Sequence, residues 1–270
     1  MALAIATNNG ALQAAAAASS VNRSMETSME RLSTGMRINS ASDDAAGVAI
    51  SSRLSAEIRG TNQSIRNALD GQSLIDTAEG AHKEVENLLQ RMRELAIQAA
   101  NGTNDADDIT NLEAEFTALS TEITRIGEVT SFAGKALTGT DATAFSFQVG
   151  SGTATANQIS VTINSIKSAS IGTDSGTQLS AVVTAGLDDL TETNAAIVVI
   201  DDAIKEVNTQ RSELGAVSNR LNHTVNNLTN ISSNLSSAQG RIQDADFALE
   251  TTKLAKNQIL QQASTAMLAQ

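Results

Sequence analysis

The chain has no cysteine, no proline, no tryptophan and no tyrosine, and only five phenylalanines and two histidines in 270 residues. Without cysteine there are no disulfide staples, thiolate metal sites or cysteine nucleophiles. Without proline no residue obliges a helix to stop, and no prolyl isomerisation slows folding. Aromatics at 2% leave burial to Leu, Ile, Val, Met and many Ala, within a hydrophobic content of 41%. Alanine seams hold weakly, because each absent CH₂ forfeits about 0.8 kcal/mol of burial. Such a chain gains most from long, repeated helix contact. Basic residues are also scarce: eighteen against thirty acidic ones give a formal charge of −12. That sign argues against nucleic acid as a partner, since phosphates need neutralising. It also predicts that self-association strengthens as salt screens like charges. No apolar run approaches the roughly 20 residues that span a bilayer. The Ala-rich start, Ala14 to Ala18, lacks a basic segment before it and is preceded by Asn8, Asn9, Gly10 and Gln13. Export, if it occurs, is therefore not expected to use ordinary signal cleavage.

What is present is a long apolar seam. Leu74, Ala78, Ala81, Val85, Leu88, Met92, Leu95 and Ala99 follow in steps of four and three, the spacing that keeps one stripe on one helix face. Ile109, Leu112, Phe116, Leu119, Ile123 and Ile126 repeat it. Downstream, Val217, Leu221, Leu228, Ile231, Leu235, Ala238 and Ile242 fit the same template, with Thr224 at one seam position. The predicted fold class is mainly α, with long antiparallel coiled-coil helices formed by both chain ends and a small β-hairpin region in the middle. The strong helix is expected from the Ala49 region to Ala100, after a break around Gly35 to Gly47. A turn at Asn101 to Asp105 separates it from a helix ending near Glu128. Phe145, Phe147 and Val149, then Ile159, Val161 and Ile163, alternate with polar residues and predict the hairpin. Helix is expected to resume near Leu179 or Ala195. The two ends, Met1 to Gly35 and Gly240 to Gln270, carry sparse stripes. They are predicted to order only against other copies.

Several segments carry a resemblance that spacing alone does not supply. Glu30-Arg-Leu-Ser-Thr-Gly-Met-Arg-Ile-Asn-Ser-Ala-Ser-Asp-Asp-Ala-Ala-Gly47 resembles the signature of bacterial flagellins. Leu89 to Gln98, Phe145 to Gly150, Gln210 to Arg220, Arg241 to Phe247 and Gln258 to Ala263 are also similar to that family. The resemblance implies the structural subunit of the flagellar filament, exported through a type III channel to the cell exterior and polymerising with copies of itself. It implies no enzymatic activity, cofactor or metal. The implied partners are an export chaperone, the cap, the hook-associated junction proteins and a toll-like innate immune receptor. The implied division places residues 1–40 with 240–270 as inner-core helices. Residues 41–130 with 195–239 form a helical shell, and 131–194 its hairpin and short linker. Gly139 to Asn194 is too short for large outer domains, which implies a thin, smooth filament. Flagellins commonly continue beyond the Leu268-Ala269-Gln270 that closes this chain, so either the sequence is clipped or the subunit makes do with less.

The resemblance also implies subunit contacts by Arg31, Leu32, Arg37, Asn39, Asp43, Asp44, Arg211, Ile259 and Leu260. For Asn39 and Asp43 the alternative is local helix capping. Arg91, Leu95 and Glu115 fall where flagellins meet the innate receptor. The other reading makes Leu95 a seam residue and the charges a solvated or intersubunit face. The acid pairs Asp107-Asp108, Asp188-Asp189 and Asp201-Asp202 read as caps and helix-dipole partners at helix starts. His82-Lys-Glu lacks the second histidine of HExxH, so the zinc protease carried by some flagellins has no ligands here. A hook-filament junction protein of the same superfamily is the alternative function.

Overall fold

A computed structural model describes residues 9–139 and 143–269. The first eight residues of the expected inner-core segment, residues 140–142 of the expected linker and Gln270 lie outside the described residues. The six helices described are α1 (Asn9–Thr34), α2 (Ala45–Ala99), α3 (Ala106–Val129), α4 (Leu179–Ala185), α5 (Leu190–Gln243) and α6 (Phe247–Ala269). Two antiparallel strand pairs lie between α3 and α4: β1 (Ser131–Phe132) with β2 (Lys135–Ala136), and β3 (Thr143–Gln148) with β4 (Gln158–Ile163). The expected fold class is therefore present, with the hairpin where the alternation placed it.

The helix ends follow local chemistry. Gly35 adopts φ +72°, the left-handed conformation that ends α1. Asp44 starts α2 four residues before the expected Ala49, because its Oδ1 accepts from the Gly47 amide at 2.9 Å. Asp105 caps α3 with a reciprocal Asp105–Asp108 box. The expected single resumption of helix is two events: the short α4 at Leu179, and α5 at Leu190. Of the acid pairs, Asp107-Asp108 sits in the first turn of α3. Asp201-Asp202 does not start a helix. It lies inside α5, where Asp201 pairs with Arg93 at 2.6 Å.

The chain divides into two compact units, one of residues 1–59 with 230–270 and one of residues 60–229. In the second unit α2 and α5 run antiparallel, since Arg93 meets Asp201 while Glu86 meets Asn208 and Arg211. One apolar cluster joins Val85, Leu89, Met92 and Leu95 of α2 to Phe116 and Ile123 of α3 and Val199 to Val207 of α5. The other places Leu74, Ile75 and Ala78 with Leu214, Leu221 and the buried Ile159, Val161 and Ile163 of β4. The seam of α2 passes through His82 and Leu89, both fully buried, while Ala81 and Leu88 are half-buried. Leu74, Ala78, Val85, Met92, Leu95 and Ala99 of the expected stripe are buried, and His82 and Leu89 are added beside it because α2 packs against α3 as well as α5 and its buried face is wider than a two-helix seam.

In the first unit α1 and α6 pair along their lengths, antiparallel, with Asn22 of α1 accepting from Gln261 of α6 at 2.8 Å. Among the described residues no helix is long and apolar enough to cross a membrane.

Candidate assembly surface

The connector between α1 and α2 is built from polar residues that hold the backbone. Asp43 Oδ2 accepts from the amides of Asn39 and Ser40 at 3.1 and 2.9 Å, closing a turn. These two amides are the main cause that holds the Asp43 carboxyl below its ordinary value, with the Arg31 charge adding to it. Asn39 Nδ2 donates to the Met36 carbonyl at 3.2 Å. Asn39, Asp43 and Asp44 thus each make local hydrogen bonds in this connector.

Arg37 has a different task. Its amide donates to the Gln243 carbonyl and its guanidinium to the Ile242 carbonyl, both at 2.7 Å. A cation on the last carbonyls of α5 satisfies groups that the helix leaves open and opposes the negative end of its dipole. Gly35 and Met36 pair in turn with Ala245 and Asp244, so the connector α1–α2 is tied to the connector α5–α6. Ser51 Oγ adds a bond to Gln243 Oε1 at 2.8 Å. Arg31 and Leu32 are half-buried near the end of α1, and Arg31 Nε is buried without a hydrogen-bond partner.

The α1–α6 pair buries little apolar surface: Val21, Met25 and Leu32 of α1 and Leu254 of α6 are only half-buried. Among the described side chains, Ser28 is the fully buried residue of α1, and Glu250 and Ser264 are those of α6. Burial opposes the charge on Glu250, but hydrogen bonds from Lys253 and Ser28 outweigh it and hold the carboxyl below its ordinary value. Other large apolar side chains face out: Leu12 and Met29 on α1 are 63% and 54% exposed, and Phe247, Leu249 and Ile259 on α6 are 69%, 54% and 67% exposed. Leu260 is 40% exposed. Ile259 and Leu260, picked out in the sequence, belong to this set. Leu12, Met29, Phe247 and Leu249 were missed, because a sparse stripe read in isolation does not say which side a partner will cover.

The remaining candidates lie in the other unit. Arg211 of α5 pairs with Glu86 and, at 3.8 Å, with Glu79, both on α2. Arg91 joins α2 to α3 through Glu115 at 2.9 Å and also pairs with Glu94 at 3.0 Å. Arg91 and Glu115 are exposed, whereas Leu95 is 1% exposed and belongs to the apolar cluster. Among the described residues no group of three or more histidine, cysteine or acidic side chains is placed to hold a metal ion.

Comparison with known proteins decides what these helices belong to. The bacterial flagellin N-terminal helical region matches residues 5–142, and the bacterial flagellin C-terminal helical region matches residues 197–270. The chain belongs to the bacterial flagellin family. It is 45% identical over 242 residues to a flagellin of Halalkalibacterium halodurans, covering 90% of this chain and 86% of that one. A flagellin of Bacillus subtilis is 43% identical over 277 residues, covering 93% and 90%. A solved structure of a putative flagellar hook-associated protein from Vibrio parahaemolyticus covers 75% of this chain and all of that one, with a TM-score of 0.64. At 17% identity that likeness is one of fold. Flagellins are structural subunits of the bacterial flagellar filament, and this chain is a subunit of that kind.

Proposed function

We propose that the chain builds its filament through the outward apolar residues of α1 and α6, as a structural subunit without catalysis. The observation that carries this is the set of large apolar side chains, Leu12, Met29, Phe247, Leu249, Ile259 and Leu260, that meet solvent on a pair which half-buries Val21, Met25, Leu32 and Leu254. Several large side chains left in water on paired helices are the residue set that a neighbouring copy would bury. Burying one of them contributes about 1.5–3 kcal/mol. A contact between unlike faces of successive subunits grows a filament where its rotation does not close into a ring. Arg31, Leu32 and Arg211 are assigned to subunit contacts on the same reading. Arg37, Asn39, Asp43 and Asp44 shape the connectors that present those helices.

Export of the chain precedes this step, with a chaperone covering α6 and the cap and hook-associated proteins flanking the polymer. The test is seeded growth: heat-dissociated subunits are mixed with short filament fragments and followed by electron microscopy. Elongation is expected, and should quicken with added salt because of the −12 charge. Fragments that never lengthen across a salt series would sink the proposal.

Innate-receptor recognition is assigned to Arg91 and Glu115, supported by their exposure on adjoining helices, with Leu95 packed beneath them. Arg91→Ala should weaken binding of the monomer to the purified receptor ectodomain. Unchanged binding would remove the assignment.

A further inference from the structure

Between the two apolar clusters of the unit formed by residues 60–229, the seam of α2 and α5 turns polar. On α2 one cluster ends at Ala78 and the other begins at Val85; on α5 the boundary falls between Val207 and Leu214. His82 and Gln210 occupy the gap, 0% and 4% exposed. Both line a cavity of about 450 Å³, together with the segment that follows β4. Gln210 is satisfied, donating to the Thr162 carbonyl at 3.0 Å and accepting from the Asn164 amide at 3.3 Å. His82 is satisfied on one side only. Its Nδ1 lies 2.7 Å from the Ala78 carbonyl, which can only accept, so Nδ1 carries the proton of the neutral ring. Nε2 is left as a buried lone pair without a partner.

Charged groups surround this ring without bonding to it. Glu79 and Glu86 flank it on α2 and are bridged by Arg211 of α5. Lys205, Glu206 and Glu213 of α5 and Asp174 of the segment before α4 line the cavity. Lys205 is paired with Asp174 at 2.8 Å, and Glu206 accepts from the amides of Gly172 and Thr173 at 3.0 and 2.9 Å. Glu213 lies 3.5 Å from Gln210 Nε2.

We propose that His82 is a proton-operated joint: the neutral ring seats α2 on α5 between the two apolar clusters, and a second proton at Nε2 loosens that seat. This goes beyond filament assembly, because it concerns the interior of a single subunit. Burial holds the ring below its ordinary value of 6.5. The Ala78 carbonyl and Glu79 pull the other way, and Arg211 acts in the same direction as burial. The fold thus favours the neutral form, and the unfolded chain binds the extra proton first. Stability from this site is complete above pH 6.5 and is lost as pH falls below it, by at most about tenfold in the unfolding equilibrium per pH unit.

The second histidine, His223, is exposed. Imidazole NMR signals of the chain, dissociated to monomer and followed from about pH 8 to about pH 5, should show His82 taking up its second proton below the ordinary 6.5. Amide exchange around 78–85 and 207–214 should quicken over the same range. His82→Leu should abolish that acid-quickened exchange, and His223→Gln should keep it. Titration of His82 at or above 6.5 would overturn the proposal, as would undiminished acid sensitivity in His82→Leu. If the leucine variant fails to fold, the titration of the unaltered chain decides the matter by itself.

Discussion

Asp43 accepts three hydrogen bonds from two neighbours, the amides of Asn39 and Ser40 and the hydroxyl of Ser40. Its carboxyl is held below the ordinary value of 3.8, so the charged form is favoured in the fold. The connector's stability from this group is therefore present above pH 3.8 and lost as pH falls through the lowered folded value. Amide exchange at Asn39 and Ser40 should rise in that acid window, and Asp43→Asn should show the raised exchange already at neutral pH. Protection that ignores both changes would count against the turn. The capping alternative for Asn39 and Asp43 was legible from residue type, because short polar side chains bond their own backbone. His82 was not legible as a seam residue. Periodicity cannot choose between Ala81 and its neighbour when the buried face spans contacts to two other helices.

Helix ends were mostly written in single residues: Gly35 after α1, and Asp105 with Asp108 at α3. The start of α5 was harder to read, because Leu187 Asp188 Asp189 carries no unambiguous break and the Leu187 amide is held from a distance by Glu113 at 2.5 Å. The β3–β4 hairpin followed from alternation, and β4 buries Ile159, Val161 and Ile163 as a period of two demands. Its seat on α2 is a tertiary matter. A Cβ at Gly71 would stand 2.9–3.1 Å from the ring of Phe147, so this helix position is glycine to admit the strand. Gly71→Ala improves helix propensity by about 1 kcal/mol, while crowding a packed ring costs about 1–3 kcal/mol. The balance should be net destabilisation, read as a lower urea midpoint for loss of helical signal. A raised midpoint would mean that the ring moves aside freely.

The two compact units differ in how much apolar surface they bury. The unit of residues 60–229 gathers its buried apolar side chains into two clusters. The α1–α6 pair only half-buries Val21, Met25, Leu32 and Leu254 and leaves Leu12, Met29, Phe247, Leu249 and Ile259 outside. Deleting residues 1–35 should leave a monomer that is helical by circular dichroism but does not extend filament fragments. Growth by that truncated chain would show that α1 is not an assembly element. The helical class, the central hairpin and the family were determined by the sequence, because spacing, caps and composition act along the chain. Tertiary structure alone decided which apolar side chains of the terminal pair face outward, that Arg37 closes α5, and that a histidine sits at the joint of two apolar clusters. Which side of a helix is buried depends on the surface laid against it, and that surface is contributed by residues far away in the chain.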